Sequence, residues 1–187
     1  MTWIKQAKLK GHDLPPLFQA VSLSAPALEA LKQLNETVAF GNSALSRVQE
    51  EAIAAVVAAA NRCRHEALTR AGFLRRHTQD AQLTSQLLDD YTQADLDASD
   101  RRMLDFAVKL TREPASVTRG DVDDLRAAGF SDAQVLSIVL VTSLCNFMDR
   151  LADGLGVDVP PSYQAAVQKW LTGPASHSEW LLRPKEA

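Results

Sequence analysis

Five side chains able to move protons, donate electrons or hold an anion fall close together in this sequence: Glu51, Cys63, His65, Glu66 and Arg70. If Cys63 starts a helix, the helix dipole and the unpaired N–H groups favour its thiolate, and Arg62, Arg64, His65 and Arg70 add positive charge. Such a thiol is a nucleophile near neutral pH. Glu66, one turn further on, works against it by raising the thiol pKa. On a helix Cys63, Glu66 and Arg70 share one face, and Glu66 with Arg70 forms an i, i+4 pair. His65 and the carboxylates Glu51 and Glu66 are candidate acids and bases. Each also has a plain structural reading. Free cysteine is among the most buried residue types, Glu66 and Arg70 can form a surface salt bridge, His65 can be structural, and Glu51 beside Glu50 can be a solvated helix face.

Cys145 lies in Val-Leu-Val-Thr-Ser-Leu-Cys-Asn-Phe-Met and is expected in the core. With only Cys63 and Cys145 present, no disulfide framework and no Cys/His metal spacing can be drawn, and neither a metal nor a cofactor is expected.

The elements that must position these residues read as helices. Residues 1–22, with Gly11, His12, Asp13, Pro15 and Pro16, show no sustained period and are expected to form an N-terminal arm. Ser24 and Pro26 open a helix continued by Leu28, Leu31 and Leu34 and stopped by Gly41. Ser46 and Gln49 make a capping box for an alanine-rich helix expected to end near Asn61. The segment from Cys63 to Arg76 either starts a fresh helix or continues after a kink. Amphipathic helices are expected over 82–91 and 98–112, the second led by Asp97 and stopped by Pro114. Thr118 and Asp121 cap a short helix that Gly129 ends, and Ser131 with Gln134 caps a long buried one reaching Gly154 or Gly156. A last helix is expected from about Ser162 to Leu171. No stretch alternates with period two, so the fold class is all-α. The division expected is one domain: an arm over 1–22, a helical core over 23–159, and a C-terminal helix and tail over 160–187. Ser46, Gln49, Ile53 and Asn61 reappear as Ser131, Gln134, Ile138 and Asn146 at one constant offset. A duplicated helical unit would pack those two helices as pseudo-equivalents.

The composition is globular: 187 residues, 46% hydrophobic and 23% charged. A formal charge of −3 gives no basic surface for nucleic acid, so no nucleic-acid partner is expected. The apolar run Val135 to Met148 is interrupted by polar residues and shorter than the roughly 20 residues of a membrane span, so no membrane association is expected. No secretory signal is visible at the N-terminus, and the expected location is the cytoplasm.

The motifs Leu45-Ser-Arg-x-x-x-Glu51 and Asn61-Arg-Cys63 resemble the alkylhydroperoxidase D and carboxymuconolactone decarboxylase superfamily, its peroxidase-related branch in particular. Leu74-Arg75-Arg76, the run Met103 to Arg112, Val117-Thr-x-x-Asp121, Leu125 to Asp132 and Asn146 to Val157 follow in the same order, so that the likeness covers residues 14–159. It implies a compact multi-helix alkylhydroperoxidase D-like bundle. Family members typically carry a glutamate, then Cys-x-x-Cys, then a histidine four residues on. Glu51 and Cys63 match the first two, Glu66 stands in place of the second cysteine, and Arg70 in place of the histidine. His65 stands where some members have a histidine between the cysteines. A two-cysteine peroxidase needs one thiolate to attack the peroxide and another to resolve the sulfenic acid. That cycle is closed to this chain.

Three functions follow from the resemblance: a one-cysteine hydroperoxide reductase or antioxidant descendant built on Cys63, Glu51 and His65; a decarboxylase-like proton-transfer enzyme in which Arg70 holds a small carboxylated substrate and His65 or Glu66 is acid or base; and a non-catalytic helical oligomer. The substrate would be a small hydroperoxide or carboxylate. Alanine-rich helices and the arm suit subunit packing, so a homo-oligomer is expected.

Overall fold

The alanines of residues 47–61 decide the centre of the fold. Small side chains let neighbouring helices close in from every side, and Glu50 through Ala58 are all buried in α3 (Arg47–Asn61). A computed structural model describes residues 2–7, 14–39 and 41–184 of the chain. Among these it is all-α, with no strand.

α3 begins at the expected capping box: the Gln49 N–H donates to Ser46 Oγ at 3.2 Å and the Ser46 N–H to Gln49 Oε1 at 3.0 Å. It ends where Arg62 turns left-handed, at φ +52°. The Cys63 N–H then donates to the Ala58 carbonyl at 2.9 Å, and a fresh helix, α4 (Arg64–Thr78), starts with Cys63 as its N-cap. The choice between a kink and a new helix is thereby settled. α4 packs along α3, and its start is fastened elsewhere: buried Arg64 pairs with Asp158 and donates to Gln164 at 2.6 Å. Gly72 lets Tyr163 come in on the same side, because a Cβ there would lie 2.1 Å from the tyrosine hydroxyl.

Before α3 stand α1 (Pro16–Ala20) and α2 (Ala25–Val38), and after α4 stand α5 (Ala81–Asp89), α6 (Ala98–Arg112), α7 (Arg119–Ala127), α8 (Asp132–Leu155), α9 (Pro161–Gln168) and α10 (Glu179–Leu182). Three short 3-10 segments join them. α5, α6 and α8 complete the shell around α3. The last long helix expected over 162–171 stops earlier, at Gln168. The arm expected over 1–22 is more structured than its irregular sequence suggested. Leu17 and Ala20 of α1 are buried against the core, and the Trp3 N–H donates to the Leu155 carbonyl at 2.9 Å. Gly156 is left-handed at φ +64° and lies against the Trp3 ring, which a Cβ would strike at 2.4 Å. The remainder of that arm, residues 1 and 8–13, lies outside the described residues.

α8 is longer than its apolar run. By length and composition it is the one described helix able to cross a bilayer, but just over half of its most apolar window is buried in the protein. Its inward face also carries Thr142 and Asp149, both buried, so it reads as a core helix. α3 and α8 pack on each other, and the asparagines that echo in sequence meet: Asn61 Nδ2 donates to Asn146 Oδ1 at 3.0 Å and to Asp149 Oδ2 at 2.6 Å. Asn146 Nδ2 donates onward to Thr111 Oγ1 at 2.8 Å. Asn61→Ala removes the donor that satisfies a buried carboxylate, and should destabilise the fold by about 2–3 kcal/mol. Urea unfolding measures it, and a loss no larger than that of an exposed asparagine would mean that the junction contributes little.

Candidate functional site

Where α3 and α4 lie side by side, two carboxylates and two guanidiniums interlock. Arg47 and Glu51 are one turn apart on α3, with Arg47 Nη2 2.6 Å from Glu51 Oε1. Arg70, on α4, reaches the other oxygen of Glu51 at 3.7 Å with Nη1 and donates through Nε to Glu66 Oε2 at 2.8 Å. Glu66 presents its second oxygen to His65 Nε2 at 3.7 Å. Glu51, His65 and Glu66 are buried. The Glu66–Arg70 pair is therefore an internal one rather than the surface salt bridge its spacing also allowed. Glu50 and Glu51 are likewise not a solvated face: Glu50 accepts from the Gly41 N–H at 2.8 Å and from Ser43 Oγ at 2.6 Å.

Burial governs the protonation of the cluster. It pushes the Glu51 carboxyl above its ordinary range in spite of Arg70 and Arg47, because a carboxylate loses its hydration inside the protein. Burial also lowers the His65 pKa, against the opposite pull of Glu66 and Asp158, so the imidazole is neutral at physiological pH. For Arg70 burial works against the charge, and the two glutamates more than offset it, so the guanidinium is held firmly protonated. His65 Nδ1 is enclosed with no hydrogen-bond partner among the described residues.

A cavity of about 290 Å³ opens on this cluster. His65, Glu66, Thr69, Arg70 and Phe73 of α4, Arg47 of α3 and Asn35 of α2 form part of its wall, and Pro15, Pro16, Leu17, Phe18 and Met148 complete it. The cavity thus brings together three of the five sequence candidates, His65, Glu66 and Arg70, with Glu51 one contact behind them. A larger cavity of about 380 Å³, between α5 and residues 172–174, contains none of the five.

Cys63 sits apart from the cavity wall. It is fully enclosed, and its thiol donates to the Asp149 carbonyl at 3.6 Å. Burial drives the thiol pKa up, and Asp149, Asp153 and Glu66 add to the effect, while a backbone hydrogen bond at Glu66 opposes it. The burial reading of this cysteine therefore prevails over helix-dipole activation. Cys145 is in the core as expected. Burial raises its pKa too, and it feels Arg70 against Asp149, Glu66 and Glu51, so it borders the same charged cluster. Among the described residues no three His, Cys, Asp or Glu side chains converge to hold a metal.

Two members of the site escaped sequence reasoning. Arg47 stands four residues before Glu51, a spacing that signals an ion pair. Asp149 gives no such local signal: its partners Asn61 and Cys63 are on the far side of the α3–α8 contact.

No family model matches the chain, and no curated protein matches it. Solved structures do. A peroxidase-related protein from Silicibacter sp. TM1040 is 32% identical, with a TM-score of 0.75 over 79% of this chain and 77% of that one. A peroxidase-related protein from Ralstonia eutropha JMP134, described as an alkylhydroperoxidase AhpD core, is 23% identical with a TM-score of 0.75 over 80% of this chain and 79% of that one. The debrominase Bmp8, solved in complex with 2,3,4-tribromopyrrole, shares the fold at 16% identity, with a TM-score of 0.72 over 83% of this chain and 82% of that one.

Burial raises the Asp149 carboxyl to about 7, against the lowering effect of its hydrogen bond from Asn61. A carboxyl raised on folding stabilises the folded state most below its unfolded value, and that contribution is lost as pH climbs from 3.8 through about 7. Asp149→Asn keeps the acceptor for Asn61 and removes the titration. The variant should gain on wild type across that pH interval, by on the order of a few kcal/mol, and run parallel to it above. Denaturation midpoints against pH give the comparison, and a constant gap would contradict the assignment.

Proposed function

The chain belongs to the alkylhydroperoxidase D / carboxymuconolactone decarboxylase superfamily, with peroxidase-related proteins among its structural neighbours, and from that premise we propose that it is a proton-transfer enzyme acting on a small carboxylated molecule. One observation carries the reading: the cavity is walled by Arg47, His65, Glu66 and Arg70, while the thiol of Cys63 is closed off beside Asp149. The larger apolar part of the wall, from Leu17, Phe18, Phe73 and Met148, suits an unsaturated or aromatic body. Arg70 and Arg47 are the groups to hold a carboxylate.

His65 is the acid or base. A neutral imidazole can accept a proton at physiological pH. Glu66 links the two halves, since one oxygen accepts from Arg70 and the other faces His65. Glu51 supplies charge balance. Its raised pKa favours proton uptake there when the cluster admits another anion, so carboxylate binding should tighten as pH falls. The one-cysteine hydroperoxide reductase implied by the resemblance has less support. A peroxide would have to reach a fully enclosed sulfur whose thiolate is disfavoured by burial and by three carboxylates.

The test is deuterium incorporation from D2O, followed by NMR, into a panel of small unsaturated and aromatic carboxylates. His65→Gln should lower the exchange rate by roughly 10²-fold or more. Arg70→Lys keeps the charge but loses the fork, and should weaken binding. The rate of wild type should fall only below the ordinary histidine value of 6.5, since the neutral form is the active one and its pKa is lowered. Peroxide turnover lost in Cys63→Ser, with no carboxylate bound, would transfer the assignment to the thiol. Inertness on both counts would leave the non-catalytic oligomer.

A further inference from the structure

Alanines were the residues expected to pack subunits together, but Ala52, Ala54, Ala55 and Ala58 of α3 are consumed inside the core. Trp3, Ile4, Leu23, Leu34 and Val48 are exposed on other segments, but the run of exposed large apolar side chains along one helix is on α8. Leu136, Leu140 and Phe147 are 58%, 40% and 48% exposed, and scattered exposed leucines would need no explanation. These are not scattered. Ala133, Leu136, Leu140, Ser143, Phe147, Arg150 and Gly154 are all exposed and follow one another at alternating steps of three and four residues. That is the 3.5-residue period of a coiled-coil seam. It runs nearly the whole of the 24-residue helix, about 32 Å at roughly 1.5 Å per residue. The opposite face of α8, through Val135, Ile138, Thr142, Cys145, Asp149 and Ala152, already packs the core, so the seam is not needed to fold the chain.

The internal echo says what such a face is for. At the same offset that pairs Asn61 with Asn146, Leu136, Leu140 and Ser143 correspond to Glu51, Ala55 and Ala58 of α3, all buried, and Glu51 is covered there by Arg70 of α4. The corresponding surface of α8 has no covering helix among the described residues.

We propose that a second copy of the chain covers it, α8 against α8, antiparallel about a two-fold axis between residues 141 and 142. That register sets Leu136 opposite Phe147 of the partner subunit and Leu140 opposite Ser143 of the partner subunit, large against small at the axis. It also brings Arg150, at one end of the seam, to Asp132 of the partner subunit at the other. Asp132 holds Arg126 at 2.7 Å within its own chain and, being exposed, can take a second cation. A parallel pairing would instead oppose Arg150 to Arg150 and Asp132 to Asp132, which like charges disfavour. The antiparallel arrangement is self-complementary, as a two-fold interface must be.

Sedimentation velocity on the full chain over a concentration series tests this. Wild type should be dimeric at micromolar concentration, and Leu140→Glu or Phe147→Glu should raise the dissociation constant by at least about tenfold with an unchanged circular dichroism spectrum. Arg150→Asp alone should weaken the dimer, and Asp132→Arg combined with it should restore it. A monomeric wild type, a dimer indifferent to Leu140→Glu and Phe147→Glu, or a double reversal that restores nothing would each overturn the proposal. The last two outcomes would point to another face or another helical partner.

Discussion

The ion cluster of Glu51, Arg47, Arg70 and Glu66 is the constraint on which the α3–α4 contact depends. Removing such charges from water costs several kcal/mol each, and only close mutual pairing returns it. Glu51 is one turn from Arg47 within α3, and Glu66 is one turn from Arg70 within α4, so each helix arrives with an internal pair. The crossing contact, Arg70 to Glu51 at 3.7 Å, joins the two pairs only if the helices meet at one register. The left-handed turn at Arg62 and the N-cap at Cys63 set that register, because they fix how many residues separate the two helices. A reactive-looking motif is thus also a folding constraint, and its arginines cannot be changed freely.

The same region disfavours the thiolate of Cys63. A helix start lowers a thiol pKa through partial charge at the N-terminus, an effect of about a kcal/mol when exposed. Full enclosure costs the thiolate more, and the carboxylates of Asp149, Asp153 and Glu66 add repulsion in a region of low dielectric. In the family pattern the position of Glu66 belongs to a second cysteine. Replacing that thiol by a carboxylate therefore does more than delete one of the two redox groups. It places a negative charge beside the first cysteine and, by holding Arg70, turns the polar chemistry toward the cavity.

What the sequence revealed and what it hid divide by range. The capping boxes at Ser46 and Ser131, the left-handed stop at Gly129 and the proline-opened α2 were legible because each is made by residues within one turn of one another. The i, i+4 pair of Glu66 and Arg70 was legible for the same reason, but its burial was not, since that depends on Glu51 in another helix. α1 was hidden as well. Its five residues carry too few positions to show a period, and Leu17 takes meaning only once α8 and α4 are in place to form the cavity beside it. Asp149 was the hardest to see. A carboxylate in an apolar run reads as a solvent-facing residue until Asn61 arrives from α3 to satisfy it.

The two helices that echo each other in sequence are put to different uses. Both begin with a Ser–Gln capping box, and they meet at a pair of asparagines that occupy the same place in each. The corresponding faces differ in size. On α3 the positions corresponding to Leu140 and Ser143 are alanines, small enough for α4 to lie close and bring Arg70 within reach of Glu51. A leucine at residue 55 would hold α4 away and break the crossing contact. On α8 no helix of the chain has to come that near, and the larger side chains are tolerated there. The ion cluster therefore selects alanine on α3 and leaves α8 free to carry leucine and phenylalanine.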